Sequence, residues 1–222
     1  MQERLIASYG RRRGRRLRGI RRELIDEALP ELQLTPEIIA DYAAAHAGKL
    51  WLEIGFGGGE HLAAQAAAHK EIAFIGCEPY IDGVGSLLKL LTREGCDNVR
   101  IFNDDARLLI DQLPDACLAR VFILFPDPWP KARHHKRRLI QRPFLQALAR
   151  AMPPGATLLL ATDHADYLAS MLEQLLASVE FTWTARRCAD WTHAPPGWVR
   201  TRYQEKAERE GRIATYLEFL RK

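Results

Sequence analysis

The feature of this chain that most limits its fold is a regular alternation of short apolar runs and longer amphipathic segments between residues 50 and 178. The runs of strand length are residues 50–54, 72–77, 99–102, 120–125 and 157–162. The segments of helix length are residues 60–69, 84–94, 105–112, 143–152 and 166–178. This alternation is typical of βαβ units, whose helices cover both faces of a sheet. It predicts an α/β fold with a doubly wound, mostly parallel sheet.

The segments on either side of this repeat are less regular. Thr35 and Pro36 read as a helix start, with Thr35 as the N-cap and Pro36 in the first turn. After Val179 the pattern weakens, and three segments are open to either strand or short helix: residues 181–185, 199–204 and 213–220. No apolar run approaches the roughly 18 residues that a membrane span needs, so we expect no membrane association.

The charge of the chain is unevenly distributed. Lys and Arg number 32 and Asp and Glu 28, but residues 1–22 hold nine arginines and a single acid, Glu3. The remaining residues, 23–222, therefore carry 23 basic and 27 acidic side chains. Arginines alternate with glycines in residues 1–22 without an apolar stripe, which favours a mobile basic arm. We expect this arm to precede a single domain at residues 23–222.

The four cysteines are widely spaced and include no C-x-x-C pair. A disulfide framework or a zinc site is therefore not expected, and a reducing, cytoplasmic location fits best. The histidines and carboxylates show no ligand spacing either, so we expect no metal. Nothing in the sequence indicates an obligate protein partner.

A glycine-rich stretch follows the first predicted strand. Gly55, Gly57 and Gly59 are separated by single residues, and Glu60 stands where a dinucleotide-binding fingerprint has its last glycine. Small residues at this point of a doubly wound sheet let the backbone approach a ligand closely. Glu53 would repel a pyrophosphate, whereas it suits a ligand with a cationic amino-acid end.

Two further acids follow the next predicted strands. Glu78 closes the second strand, where an acid can accept hydrogen bonds from both ribose hydroxyls. Asp105 follows the third strand and is placed to meet an adenine amino group. Such acids can also be solvated caps of strand–helix loops, but three in succession fit S-adenosylmethionine better than NAD or a nucleoside triphosphate. We therefore expect this cofactor to bind at Glu53, Gly55, Gly57, Glu78 and Asp105.

A second motif, residues 125–138 (FPDPWPKARHHKRR), follows the fourth predicted strand. Pro126 and Pro128 flank Asp127 and restrict its backbone, which suits a carboxylate that must hold one position. Trp129 offers a flat apolar face. No acid interrupts the cations that follow, which are Lys131, Arg133, Lys136, Arg137 and Arg138. This combination predicts a nucleobase held beside a phosphate backbone, with the whole basic run facing phosphate.

Together these motifs resemble the bacterial tRNA (guanine-N7-)-methyltransferase family. Residues 52–59 (LEIGFGGG) and 125–138 carry the resemblance, which continues in residues 161–163 (ATD), 201–204 (TRYQ) and 11–15 (RRRGR). It covers nearly the whole chain. The resemblance implies a Rossmann-like class I methyltransferase with a seven-stranded sheet. It also implies that S-adenosylmethionine is the cofactor and that a guanosine of the tRNA variable loop is methylated at N7.

The resemblance also implies roles for individual residues. Asp127 would be the active-site residue and would contact the cofactor together with Glu53, Glu78 and Asp105. The tRNA guanosine would be held by Lys131, Asp163, Thr201, Arg202, Tyr203 and Gln204. The family usually has Glu as the fourth residue of its T-[KR]-[FY]-E motif, where this chain has Gln204 followed by Glu205. Either Gln204 supplies hydrogen bonds through its amide, or Glu205 takes this place after a small shift.

Other functions are compatible with parts of the sequence. A class I methyltransferase acting on another base or on an exocyclic amine is the main alternative, because residues 127–129 (DPW) faintly resemble the D-P-P-Y loop of such enzymes. A nucleic-acid-binding protein with a vestigial cofactor pocket is a second. A dehydrogenase is disfavoured by Glu60 in the glycine stretch.

Overall fold

The computed structural model describes residue 12 and residues 19–222, so most of the predicted basic arm lies outside the described residues. Seven strands in the described part form one sheet: β1 (Leu50–Ile54), β2 (Ala73–Cys77), β3 (Val99–Phe102), β4 (Leu118–Leu124), β5 (Thr157–Thr162), β6 (Phe181–Trp183) and β7 (Thr215–Arg221). Their order is β3-β2-β1-β4-β5-β7-β6. The first five strands are parallel, and β7 is antiparallel to both of its neighbours. The predicted mostly parallel α/β sheet is confirmed.

Helices cover both faces of this sheet. They are α1 (Ile20–Glu27), α2 (Leu29–Leu32), α3 (Ile39–Ala45), α4 (Glu60–Ala68), α5 (Ile81–Glu94), α6 (Ala106–Gln112), α7 (Arg142–Ala151), α8 (Ala165–Leu176), α9 (Ala189–Thr192) and α10 (Arg202–Arg209). Apolar residues of α4 and α5 share one core with Phe74, whereas those of α3, α6, α7 and α8 share another with Ile75. Successive strand residues point to opposite faces, so a strand in the middle of the sheet is largely apolar, and Glu53 of β1 is an exception.

The predicted strands agree closely with the observed ones, but the helix predicted to start at Thr35 begins later. Helix α3 starts at Ile39, and its N-cap is Ile38 rather than Thr35. The Thr35 carbonyl instead accepts a hydrogen bond from the Ile38 amide at 3.1 Å, closing a turn. The preceding residue, Leu34, donates its amide to the Ile101 carbonyl of β3 at 2.8 Å, so sheet pairing ends next to Thr35 and a separate turn over residues 35–38 precedes the helix.

The first described helix begins ahead of the boundary expected after residue 22. Helix α1 begins at Ile20, so Arg21 and Arg22 are helical. Leu24 and Ile25 of this helix pack against the core that includes α5. The amphipathic stretch was expected to follow the arm, but it begins at Ile20, within the last three residues of the predicted arm.

The carboxyl ends of the parallel strands bring the predicted site together. The order of the sheet reverses between β1 and β4, and ligands of doubly wound proteins bind at such a switch point. The loops after β1, β2, β3, β4 and β5 all leave from this edge. They carry the glycine stretch, Glu78, Asp105, Asp127 and Asp163, respectively.

Gly83, in the first turn of α5, packs directly on the glycine stretch. A Cβ atom at this position would lie 2.3 Å from the carbonyl oxygen of Gly57. The helix can therefore approach the loop only because residue 83 has no side chain. The sequence contained a signal of this approach, since a glycine inside a helical pattern often marks a close contact.

Replacing Gly83 by Ala should destabilise the protein. In an exposed helix this change would stabilise by about 1 kcal/mol, but here the clash with Gly57 should lower the free energy of unfolding by roughly 1–3 kcal/mol. Urea unfolding followed by circular dichroism measures the difference. Gly85→Ala is the matched control in the same helix, because its Cβ would meet side-chain atoms of Ile25 and Arg21 at 3.2 and 3.3 Å, which can shift. Equal stability of the two variants would contradict the assigned contact.

Candidate active site

The glycine stretch after β1 owes its composition to backbone conformation. Gly55, Gly57 and Gly59 have φ angles of 73°, 55° and 80°, a region that side chains strongly disfavour. At Gly59 a Cβ atom would also lie 2.7 Å from Leu87 of α5. The three alternating glycines therefore shape the loop itself, in addition to leaving room for a ligand. The loop turns sharply into α4 and presents its backbone at the sheet edge.

Glu78, at the end of β2, is held by two backbone amides. Its Oε2 accepts a hydrogen bond from Gly57 N and its Oε1 one from Tyr80 N, each at 2.9 Å. Burial raises the pKa of this carboxyl, the two amide donors lower it, and the nearby charges of Asp127 and Glu53 raise it further. Glu78 therefore has a fixed orientation and an elevated pKa in an environment rich in negative charge.

A cavity of about 470 Å³ opens at this edge of the sheet. Four of the predicted site residues line it, namely Gly55, Glu78, Asp105 and Asp127. Its walls combine apolar side chains such as Ile54 and Phe144 with these acids. A mostly apolar cleft with a few fixed polar groups is the usual form of a small-molecule site.

Asp105 is an N-cap as well as a cavity residue. It caps helix α6, accepting a hydrogen bond from the Arg107 amide at 3.0 Å. The Arg107 side chain donates to both of its carboxylate oxygens, at 2.9 and 2.7 Å. A ligand that binds Asp105 must therefore share it with Arg107.

The segment between β4 and the next helix carries Asp127 in a constrained loop. Phe125 and Trp129, at the two ends of this loop, have φ angles of 51° and 45°, although neither is glycine. Residues in such conformations cost about 1–3 kcal/mol each, and they persist only where the surrounding structure imposes them. Asp127 lies at the mouth of the cavity, and partial burial there raises its pKa.

The basic run that follows does not face one way. Residues 132–137 form a 3₁₀ helix, on or beside which Lys131, Arg133 and Lys136 are exposed. Arg138 instead turns inward, with 4% of its surface exposed, and its Nε donates to the carbonyl of Pro128 at 2.9 Å. The prediction that every cation of this run faces phosphate is therefore wrong for Arg138.

Glu53 lies beside the cavity rather than in its lining. Its carboxylate is buried, and Oε2 is 2.6 Å from Nδ1 of His61 in the first turn of α4. His61 packs edge-on against Phe122, with ring centres 4.8 Å apart. Sequence reasoning did not find this pair, because nothing in the spacing of residues 53 and 61 distinguishes a buried partner from a surface histidine.

Residues 201–204 serve several purposes. Thr201 caps α10, its Oγ1 accepting from the Gln204 amide at 3.2 Å. Arg202 forms an ion pair with Glu60 at the start of α4. Tyr203 is exposed, and its ring lies beside Phe125, with centres 5.2 Å apart. Tyr203 is thus the residue of this motif best placed to meet a substrate at the cavity mouth.

Gln204 is buried and fully engaged. Its amide nitrogen donates to Glu208 and to the hydroxyl of Tyr216, each at 3.0 Å, while its oxygen accepts from Trp198 Nε1 at 2.8 Å. Glu205 is exposed on the outer surface of α10. In this structure Gln204 ties α10 to β7 and to the loop that contains Trp198.

Asp163, after β5, is paired with an arginine that the sequence did not single out. Its carboxylate is almost fully buried and forms an ion pair with Arg212. The Arg212 guanidinium also lies 5.9 Å from the centre of the Tyr203 ring. Asp163 and Tyr203, predicted separately, are therefore connected through Arg212.

Comparison with known proteins places the chain in a family. Residues 47–217 match the family model described as "Putative methyltransferase". A tRNA (guanine-N(7)-)-methyltransferase from Rhodospirillum rubrum is 44% identical, with 96% of this chain and 87% of that protein covered. One from Jannaschia is also 44% identical, with 95% and 92% covered. The chain belongs to the tRNA (guanine-N(7)-)-methyltransferase family.

Solved structures support the fold. The antibiotic-resistance methyltransferase Kmr superposes with a TM-score of 0.56 at 15% identity, covering 85% of this chain and 93% of that one. A 16S rRNA (adenine(1408)-N(1))-methyltransferase from Catenulisporales acidiphilia superposes with a TM-score of 0.51 at 16% identity, covering 85% and 94%. These neighbours are class I methyltransferases, so the Rossmann-like fold expected from the resemblance is confirmed.

Replacing His61 by Ala should destabilise the protein strongly. The change leaves the buried Glu53 carboxyl without the side chain that lies 2.6 Å away, and breaking a buried pair in this way costs about 3–5 kcal/mol. Denaturant unfolding measures the loss. His69→Ala is the control, because His69 pairs with Glu71 at 3.6 Å on the surface, where such pairs contribute about 0–1 kcal/mol. A loss below 1 kcal/mol for both variants would show that Glu53 does not depend on His61.

Proposed function

We propose that this protein transfers a methyl group from S-adenosylmethionine to N7 of a guanosine in tRNA, in the variable loop as the family resemblance implies. The observation that carries the proposal is the meeting of the glycine stretch, the anchored Glu78 and the Pro-flanked Asp127 around one cavity. The names of the relatives at 44% identity support tRNA and guanine N7 as the substrate.

The residues of the cavity fit S-adenosylmethionine. Both Glu78 oxygens accept backbone amides and keep further lone pairs, so the carboxylate can receive ribose hydroxyls without reorienting. The charges of Asp127 and Glu53 raise the pKa of Glu78 across the site. A ligand with cationic amino and sulfonium groups relieves that repulsion, whereas a pyrophosphate would increase it.

The residues near the acceptor base act by positioning and by charge. S-adenosylmethionine supplies an electrophilic methyl group, and guanine N7 carries a lone pair and no proton, so no strong general base is required. The exposed ring of Tyr203 offers a stacking surface beside Phe125. The guanine becomes cationic as its new bond forms, and Asp127 at the cavity mouth stabilises that charge more than it stabilises the neutral base.

Exposed cations beside the cavity suit the tRNA backbone. Lys131, Arg133 and Lys136 are exposed on or beside the 3₁₀ helix that follows the Asp127 loop. Lys131 is close enough in sequence to Asp127 to act at the substrate, as the resemblance implies. We also assign phosphate contacts to the basic arm at residues 1–22, whose +8 charge would release counterions on binding RNA.

A reducing compartment is consistent with the cysteines. All four, Cys77, Cys96, Cys117 and Cys188, are free thiols. Within residues 12 and 19–222, no helix is long and apolar enough to cross a bilayer, and no cluster of three potential metal ligands is present. We propose that the protein acts on tRNA in the cytoplasm, where free thiols persist.

Replacing Asp127 by Asn should lower the methyl-transfer rate by roughly 10²–10³, the usual loss for one preorganised electrostatic group. Single-turnover methylation of unmodified tRNA with labelled cofactor measures the rate, and nucleoside analysis identifies the methylated atom. Asp115→Asn is the control, because Asp115 is an exposed acid paired with Arg150 on another surface. A wild-type rate in the Asp127 variant would remove its assigned role. Methylation of an exocyclic amine would support the alternative reaction.

Cofactor affinity should depend on pH through Glu78. Only the carboxylate form accepts two ribose hydroxyls, and burial raises the pKa of Glu78 above its ordinary value of 4.5. Affinity should therefore fall as the pH drops, starting at a higher pH than for an unperturbed glutamate.

Glu78→Gln tests this dependence. The amide keeps one acceptor oxygen instead of two, so it must lose Gly57 N or Tyr80 N, and affinity at pH 8 should fall roughly tenfold or more. Isothermal titration with S-adenosylhomocysteine across pH 5–8 measures both effects. Glu71→Gln, on the surface, should follow the wild-type profile. If the cofactor affinity of the Glu78 variant still fell at low pH as it does in the wild type, the pH dependence would be assigned to Asp127.

A further inference from the structure

Arg138 ends the most basic run of the described chain, yet its guanidinium is buried beneath the Asp127 loop. It is 4% exposed, whereas Lys131 and Arg133 of the same run reach solvent. A buried arginine is uncommon unless its charge is paired and its donors are satisfied. The contacts of Arg138 therefore indicate what it does.

Three groups hold the guanidinium. Its Nε donates to the carbonyl oxygen of Pro128 at 2.9 Å, and its Nη2 forms an ion pair with Asp166 of α8. The guanidinium carbon lies 4.9 Å from the centre of the Tyr167 ring. Tyr167 is itself fully buried, and its hydroxyl accepts from the Ile140 amide at 3.3 Å. Arg138 thus connects helix α8 and the core to the residue that follows Asp127.

The Asp127 loop needs such a restraint. Pro126, Pro128 and Pro130 lack an amide hydrogen, so they cannot donate to backbone hydrogen bonds within the loop. Phe125 and Trp129 hold unfavourable positive φ angles at its two ends. Since strained residues persist only where neighbouring structure imposes them, the bond from Arg138 to the Pro128 carbonyl is well placed to impose this conformation.

We infer that Arg138 is a positioning residue, which holds the Asp127 carboxylate at the cavity mouth through the Pro128 carbonyl and which does not bind tRNA phosphate. To reach an RNA, its Nε and Nη2 donors would have to leave Pro128 and Asp166. The catalytic consequence rests on the proposed function, in which Asp127 acts beside the acceptor base. The effect on the loop, which loses its conformation without Arg138, does not depend on the proposed function.

Three variants separate positioning from phosphate binding: Arg138→Met, Arg138→Lys and the exposed comparator Arg133→Met. Single-turnover methylation at saturating tRNA reports on positioning, and tRNA affinity over a salt series reports on phosphate contacts. The loop itself is observed by fluorine NMR of 5-fluorotryptophan-labelled protein, with the Trp129 resonance assigned by Trp129→Phe. Trp129 lies 5.0 Å from the Arg137 guanidinium and 6.0 Å from the His134 ring, so its resonance is sensitive to the loop conformation.

We expect Arg138→Met to lower the single-turnover rate by roughly 10–100-fold, the scale of a displaced catalytic group. Its tRNA affinity and salt dependence should stay within twofold of wild type, and the Trp129 resonance should shift or broaden. Arg138→Lys keeps the charge but cannot reach Pro128 and Asp166 together, so its rate should be intermediate. Arg133→Met should instead flatten the slope of log affinity against log salt by about 0.7–0.9 per lost phosphate contact.

Two results would overturn the inference. One is a weaker, less salt-dependent tRNA affinity in either Arg138 variant with an unchanged rate at saturating tRNA, which would make Arg138 a phosphate ligand. The other is a folded Arg138→Lys protein with the wild-type rate and the wild-type Trp129 resonance; this variant also decides the question if Arg138→Met does not fold. If the wild-type protein methylates no tRNA, the proposed function fails, and the Trp129 resonance still tests the loop.

Discussion

The site depends first on one carboxylate held by two backbone amides. Glu78 can present a fixed acceptor only while Gly57 and Tyr80 keep their hydrogen bonds of 2.9 Å to it. Gly57 is in place because its φ of 55° is open to glycine, and because Gly83 of α5 leaves room for its carbonyl. Three segments therefore form one packed unit: the glycine stretch, the end of β2 and the start of α5. Its shape depends on glycines that have no side chain as well as on the Glu78 carboxylate.

The arginines near the site fall into two groups with different physical tasks. In the first group, Arg107 pairs with Asp105, and Arg212 pairs with Asp163. Arg138 pairs with Asp166 and holds the Asp127 loop. Exposed cations such as Arg133 do not hold a carboxylate in the described residues, and their charge is available to attract phosphate. The same residue type serves both tasks because a guanidinium can bridge several acceptors in fixed geometry, and can also act as a solvated charge. Pairing with an acid, more than burial, separates the two groups, because Arg107 and Arg212 keep 37% and 35% of their side-chain surface exposed.

The sequence predicted the features that local patterns determine, and it did not predict the features that depend on tertiary contacts. The five parallel strands were predicted because a buried parallel strand has an apolar pattern that needs no tertiary information, whereas the segments of β6 and β7 stayed open between strand and helix. The Thr35 helix start was wrong because a turn closed between Thr35 and Ile38 separates the capping signal from the helix, and the local sequence does not show where such a turn ends. The sequence did not predict that Arg138 turns inward or that Glu53 pairs with His61, since the identity of a polar residue does not show whether it is buried.

The two halves of the site are physically joined, which limits how independently they can act. Arg202, in the motif assigned to the substrate, pairs with Glu60 at the end of the glycine stretch. Tyr203 of the same motif packs against Phe125, the strained residue at the start of the Asp127 loop. A base stacked on Tyr203, as proposed, would therefore contact a segment tied to the glycine stretch and to the Asp127 loop. Because packed contacts of this kind transmit small shifts, the placement of the base and of the Asp127 carboxylate must be set together.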